Sequence, residues 1–208
     1  MAQVKSGATT DLWTIDPTSK AGRVSLYDTA GTYRGPKATY SAATPTTVVV
    51  EASAAKMFFV ITGTSASKVL RIQRIVVSGM TLTSVAYNEL VVEKWSSAPS
   101  AGSATTLTQT PHDSGFAAAT ATLCQVYTAG PTEGTLVGTI ASRRFLEQAT
   151  TAAAAGIPYL CEFNWLNDGT RELDAPVLRT SAQAISVAFA ENPATAVTCS
   201  VECTWTEE

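Results

Sequence analysis

From Thr46 onward the chain alternates between short apolar runs and turn-forming clusters. The runs are TTVVVEA, KMFFVIT, KVLRIQRIVVS, NELVVEKW, ATLCQVYT, TLVGTI, PYLCEFNW, QAISVAFA and AVTCSVECTW. They are rich in Val, Ile, Thr, Phe and Tyr and bounded by Gly, Pro, Asn or Ser, which is the composition and punctuation of strands. The cleanest is the last, where Val197, Cys199, Val201, Cys203 and Trp205 alternate with Thr198, Ser200, Glu202, Thr204 and Thr206. That is the period of a strand with one buried face. About nine such strands without amphipathic helices between them predict an all-β chain, an antiparallel β-sandwich of jelly-roll-like type. One helix is expected, over FLEQATTAAAAG from Phe145 to Gly156, where alanines favour helix and Gly156 and Pro158 end it; it lacks an apolar stripe.

The first 45 residues follow a different pattern. DLWTIDPTSKAGRVSLYDTAGTYRGP holds one alternating strand, Arg23 to Tyr27, with Val24 and Leu26 on one face. A segment of this kind buries too little to fold alone. It is expected to lie as an extended N-terminal arm against another surface, with Trp13 and Ile15 as anchors; the alternative is a first strand of the main sandwich. Residues 1–45 are thus assigned to the arm and 46–208 to the sandwich. Within the latter, SSAPSAGSATTLTQT after Trp95 is expected to be a long excursion between strands, and NDGT at Asn167 to Thr170 a tight turn.

Composition changes the picture in one respect. Only 15% of the 208 residues are charged while 45% are hydrophobic, against about 25% charged in ordinary globular chains. Ala, Thr, Ser and Val stand where a soluble monomer carries Lys and Glu, so much of the surface is expected to meet other protein. The net charge of -3 argues against a grip on nucleic acid, which needs clustered cations facing phosphates. The tight basic groups, Arg143 with Arg144 and Arg71 with Arg74, read as solvated or ion-paired. Neither a secretory pattern nor an apolar run of about 18 residues is present, so no membrane is expected and an aqueous compartment is.

Candidate chemistry is sparse. The single histidine, His112, stands in TPHDSG beside Asp113 and Ser114, the residue types of a hydrolase triad. A triad needs a base that reaches both nucleophile and orienting carboxylate, and consecutive side chains point apart. No G-x-S-x-G elbow occurs. Pro111, Asp113, Ser114 and Gly115 are turn formers, and the stretch reads as a shaped loop. Cys199 and Cys203 share a strand face about 13 Å apart at roughly 3.3 Å per residue, too far for a mutual bridge, whose Cα atoms lie within about 7 Å. With Cys124 and Cys161 they read as buried thiols; disulfides among Cys124, Cys161, Cys199 and Cys203, or to a neighbouring subunit, stay open. One histidine and no C-x-x-C give no zinc set, the calcium-loop spacing is absent near NDGT, and no phosphate loop or dinucleotide fingerprint appears. No cofactor is expected. Trp95, Trp165 and Trp205 read as core residues, although Trp165 with Asn164, Asn167 and Asp168 could also form a carbohydrate or receptor site.

DLWTIDPTSKAGRVSLYD, then RIQRIVVSG with VVEKWSSA, then TPHDSGFAAATATLCQVYTAGPTEGTLVGTIASRRF, and more loosely CTWTEE, resemble a family of small virion structural proteins of tailed bacteriophages. Together the blocks span about half the chain. The resemblance implies a non-enzymatic component of the virion, assembled in the bacterial host cytoplasm. It suggests a capsid decoration or cement protein, homo-oligomeric and expected to be a trimer, that contacts the major capsid protein or other virion proteins. On that reading Trp13, Ile15, Val24 and Leu26 of the arm make the contacts. The alternatives are a tail, baseplate or fibre-associated component, or a carbohydrate- or receptor-binding sandwich. The cysteines and FNWLNDGTRELD depart from the family pattern.

Overall fold

The computed structural model describes residues 4–5, 12–15, 22–24, 38–45, 48–50, 57–64, 68–81, 86–147, 159–165, 175–191 and 196–208. The chain divides into two compact units, Met1–Lys37 and Ala38–Glu208. The first holds an antiparallel sheet of three short strands in sequential order: β1 (Val4–Lys5), β2 (Leu12–Ile15) and β3 (Gly22–Val24). Its register sets Trp13 opposite Val4 on one side and Val24 on the other, and Ile15 opposite Gly22. One strand was expected here. Strands this short repeat too few times for alternation to reveal them, and Leu26 lies outside the described residues.

The second unit contains β4 (Ala38–Ala43), β5 (Val48–Val50), β6 (Met57–Thr62), β7 (Leu70–Thr81), β8 (Ala86–Ser97), β9 (Ser103–Thr106), β10 (Gln109–Pro111), β11 (Cys124–Ala129), β12 (Thr135–Glu147), β13 (Tyr159–Asn164), β14 (Val177–Leu178), β15 (Ala184–Phe189) and β16 (Val197–Glu207). They form two antiparallel sheets packed face to face. Sheet I has seven strands, in the order β10-β4-β16-β7-β13, with β5 also on β16 and β14 also on β7. Sheet II has six, in the order β12-β8-β15-β6-β11-β9. Each of the nine runs read from the sequence supplies a strand. The expected helix starts as strand instead: Phe145, Leu146 and Glu147 pair with Asn88, Tyr87 and Ala86, because ladder pairing outweighs a modest helix preference. Residues 148–156 lie outside the described set.

Between the sheets lies one core. On β16 the side chains of Val197, Cys199, Val201, Cys203 and Trp205 are all buried, as the alternation requires. Trp205 sits opposite Tyr40 and Ile72 and stacks on the Tyr40 ring at 6.0 Å and 23°. From sheet II come Phe58 and Phe189, 5.3 Å apart, with Phe59, Ile61, Leu90, Val92, Ile185 and Val187. The middle strands β6 and β15 are buried at every position. Their other faces carry Met57, Val60, Ala184 and Ala188, which cluster with Val91, Trp95 and Tyr127. Sequences such as MFFVIT are apolar throughout for this reason, since neither face of the strand meets water. Trp95 belongs to this second cluster and donates Nε1–H to Ser186 Oγ at 2.8 Å. Trp165 is half-buried against the main core.

Four strands of this unit, β4, β9, β10 and β14, lie outside those nine runs. SATT of β9 is exposed at all four positions and β10 is short and polar, so the excursion expected after Trp95 contains two edge strands instead. Periodicity records burial, and a solvated edge has none. In β4, ATYSAA relies on one large residue, Tyr40, and on Ala42 fitting opposite Cys203. Its sheet pairing moves the unit boundary to Lys37, ahead of the expected residue 45. Trp205→Ala is expected to destabilise the protein by about 3–5 kcal/mol, and the half-buried Trp165→Ala by clearly less, measured as urea midpoints at unchanged m. Equal losses would show that the core is not centred on β16.

Candidate interaction surface

The loop that begins with His112 connects the two sheets. It leaves β10 at the edge of sheet I and enters β11 of sheet II, crossing the end of the sandwich. At its start the Gly115 N–H donates to Asp113 Oδ1 at 2.8 Å and the Phe116 N–H to the Asp113 carbonyl at 3.0 Å. His112, Asp113, Ser114 and Gly115 are exposed, and the Asp113 carboxylate shapes the turn. The expected shaped loop is what these residues form.

Farther along, a buried carboxylate fastens the crossing. Glu207 follows Trp205 on the inward face of β16, with its side chain fully shielded. Its oxygens accept from the Thr120 N–H at 2.8 Å, the Thr120 hydroxyl at 2.7 Å and Trp205 Nε1–H at 3.2 Å. Lys68 Nζ stands at 3.4 Å. Tyr40 donates its hydroxyl to the Ala117 carbonyl at 2.9 Å; burial raises its pKa, and the Glu207 charge raises it further. A buried carboxylate is tolerated only when its lone pairs are met, and here the donors come from β16, the loop and Lys68. Sequence reasoning missed this residue because Glu207 lies in an acidic pair beyond the apolar alternation.

On one lateral side, the edge of sheet II, β12, runs near the edge of sheet I, β13. Arg143 lays its guanidinium over the Phe163 ring, 5.6 Å from its centre, and Phe163 stacks on Trp165 at 6.4 Å and 16°. The other basic pair is neutralised locally, Arg71 by Glu208 at 2.9 Å and Arg74 by Glu162 at 2.7 Å. Arg144 is exposed. Among the described residues, four large apolar side chains are exposed, all on these two edge strands: Leu136 at 48%, Val137 at 64%, Ile140 at 39% and Leu160 at 59%. The first three lie where β12 slips against β8. Leu136 pairs with Trp95 and Gly138 with Lys94, then Thr139 with Glu93 and Ala141 with Val92, so Val137 and Ile140 are the extra residues of two bulges. Bulges re-aim side chains. The run TLVGTI read as an ordinary core strand; the glycine inside it was the available sign of a bulge. Gly134, just before β12, has room for no side chain, since a Cβ there would fall 1.9 Å from the Ser97 carbonyl oxygen.

The four cysteines are free and buried. Burial pushes the Cys124 thiol up to about 12 and the Cys161 thiol up to about 11, the latter against the pull of the Arg143 charge. Cys203 is also held well above the ordinary thiol value, by burial first and then by Cys124 and Glu202. Of the arm residues, Trp13 and Val24 are opposed in the first unit's sheet. In the carbohydrate candidate, Asn164 is exposed while Trp165 is half-buried; Asn167 and Asp168 lie outside the described residues. Among the described residues, no group of three or more His, Cys, Asp or Glu could hold a metal ion, and no helix is long and apolar enough to cross a membrane. No protein family, curated protein or solved structure matches the chain.

Two outcomes are expected. Glu207→Ala strands the Thr120 N–H and the Trp205 indole and costs about 1–3 kcal/mol, with faster hydrogen exchange at the Thr120 amide; an unchanged amide would remove Glu207 as the fastener. Iodoacetamide at pH 8 should leave the folded thiols essentially unlabelled, because all four are buried and the raised pKa of Cys124, Cys161 and Cys203 withholds the thiolate, which is the nucleophile. All four label after unfolding, and Cys161 reacts first under partial denaturation. Rapid labelling of Cys124 in the folded protein would contradict its burial.

Proposed function

We propose that this protein is a non-enzymatic structural component of a tailed-bacteriophage virion, a capsid decoration or cement protein that stabilises the shell through contacts with its own copies and with the major capsid protein. The observation that carries the reading is the weakly charged sandwich with Leu136, Val137 and Ile140 uncovered on one edge strand. A virion subunit needs broad, nearly neutral contact surfaces, and symmetric assembly removes apolar area that a lone sandwich leaves in water. The resemblance of the N-terminal and central blocks to phage virion proteins points the same way. The reading includes a jelly-roll-like sandwich, supported by a chain that passes repeatedly from one sheet to the other. It also includes an arm, Met1–Lys37, whose Trp13, Ile15, Val24 and Leu26 tie neighbouring capsomers, and a closed oligomer such as a trimer, located in the virion.

The test is a mass-spectrometric copy count in purified particles, normalised to the major capsid protein. Copies on the order of hundreds per particle are expected, because a symmetric shell repeats its parts. A count of about three to a few tens would move the protein to the tail, baseplate or a fibre. Absence from particles would sink the virion reading.

A further inference from the structure

The β12 edge carries an internal symmetry. The two bulged residues, Val137 and Ile140, flank the Gly138–Thr139 bond, one residue to either side. Farther out, exposed Glu133 lies five residues before Gly138 and exposed Arg144 five residues after Thr139. A two-fold axis through that bond exchanges Val137 with Ile140 and Glu133 with Arg144, so apolar meets apolar and acid meets base. An isologous contact requires such self-complementarity.

We propose that this stretch of β12, together with Glu133 just before it, is a two-fold contact between two copies of the chain, with Val137 of each packed on Ile140 of the other and Glu133 of each facing Arg144 of the other. The contact deepens the virion reading, on which it rests for its biological setting, by naming a surface through which copies associate. Its backbone decides the mode of docking. Two bulges interrupt the regular spacing of ladder groups, so a second β12 cannot extend sheet II by a continuous row of hydrogen bonds. Side chains make the contact instead. An apolar centre with charges at its rim has the anatomy of a protein interface, and charges of both signs suit a second copy better than a polyanion or a polycation.

Thr139 sits beside the axis, so Thr139→Cys in the full chain brings two new thiols together while the native four stay buried. Diamide takes the two thiol hydrogens, leaves one S–S bond between the copies and is reduced to the hydrazine. Most of the variant should then migrate at twice the chain mass of 21.7 kDa on a non-reducing gel, and the unsubstituted protein should not. Sedimentation supplies the second measurement: Glu133→Arg and Arg144→Glu each weaken self-association by about ten-fold, and the double reversal restores it. A folded Thr139→Cys protein that stays monomeric under diamide, or a double reversal no better than either single change, overturns the contact. Should the contact fail while particles still carry many copies, the virion reading stands without it. Should the dimer form while particles lack the protein, the contact stands and the virion reading falls.

Discussion

The larger unit depends on the pairing of β16 with β7. The ladder runs from Thr198 opposite Thr81 to Glu207 opposite Leu70, and on its other side β16 is shared by β5 and β4. One strand therefore fixes the register of three others. A slip by one residue would turn Trp205 and Cys203 outward and drive Glu202 and Thr204 into the core. The end of the ladder resists that slip. Glu208 and Val69 exchange both backbone hydrogen bonds, at 2.9 and 3.0 Å, and Glu207 reaches the crossover loop through Thr120. Register and loop position are thus set by the same short stretch, and Glu207 links the sheet-I spine to the entrance of sheet II.

This arrangement explains what the sequence made legible. β16 alternates because one face meets the core and the other meets partly exposed positions; β6 and β15 run apolar because both of their faces are covered. The pattern fails where burial fails. β9 is a strand by hydrogen bonding alone, held to β11 through Thr106 opposite Gln125 and Thr105 opposite Val126, and its Ser and Thr side chains leave no trace of it. Phe145 to Glu147 mislead in the opposite sense, since local helix preference says nothing of the partner strand β8. The site was harder still. Glu207 is charged and buried, and Val137 and Ile140 are apolar and exposed, so each breaks the rule by which positions are assigned. Neither departure has a local cause: the first depends on a loop some 87 residues away in sequence, and the second on bulges set by pairing with β8.

The cysteines fit the same frame. Three of them lie on sheet I and one on sheet II, all in the main core, where a thiol packs as a small apolar group. Raised pKa values keep Cys124, Cys161 and Cys203 protonated and poorly nucleophilic, and all four thiols are free, so the stability of the sandwich does not rest on oxidation. Hydrophobic burial in the main core between the sheets, rather than covalent closure, holds them together.

The two lateral sides of the sandwich are unlike. On one, Ser103, Thr105 and Thr106 of β9 and Thr110 of β10 are exposed, and Pro111 offers no backbone donor to a further strand. That edge neither buries apolar area nor extends a ladder. On the other, β12 and β13 expose Leu136, Val137, Ile140 and Leu160, while the bulges of β12 spoil continuous strand addition. Association is therefore directional: one side attracts through side chains, and neither Pro111 of β10 nor the bulged β12 extends a continuous ladder. A two-fold contact at β12 covers Val137 and Ile140 of both copies at once, so a third copy cannot use them and the contact is a closed one. Any higher symmetry must then come from a different surface.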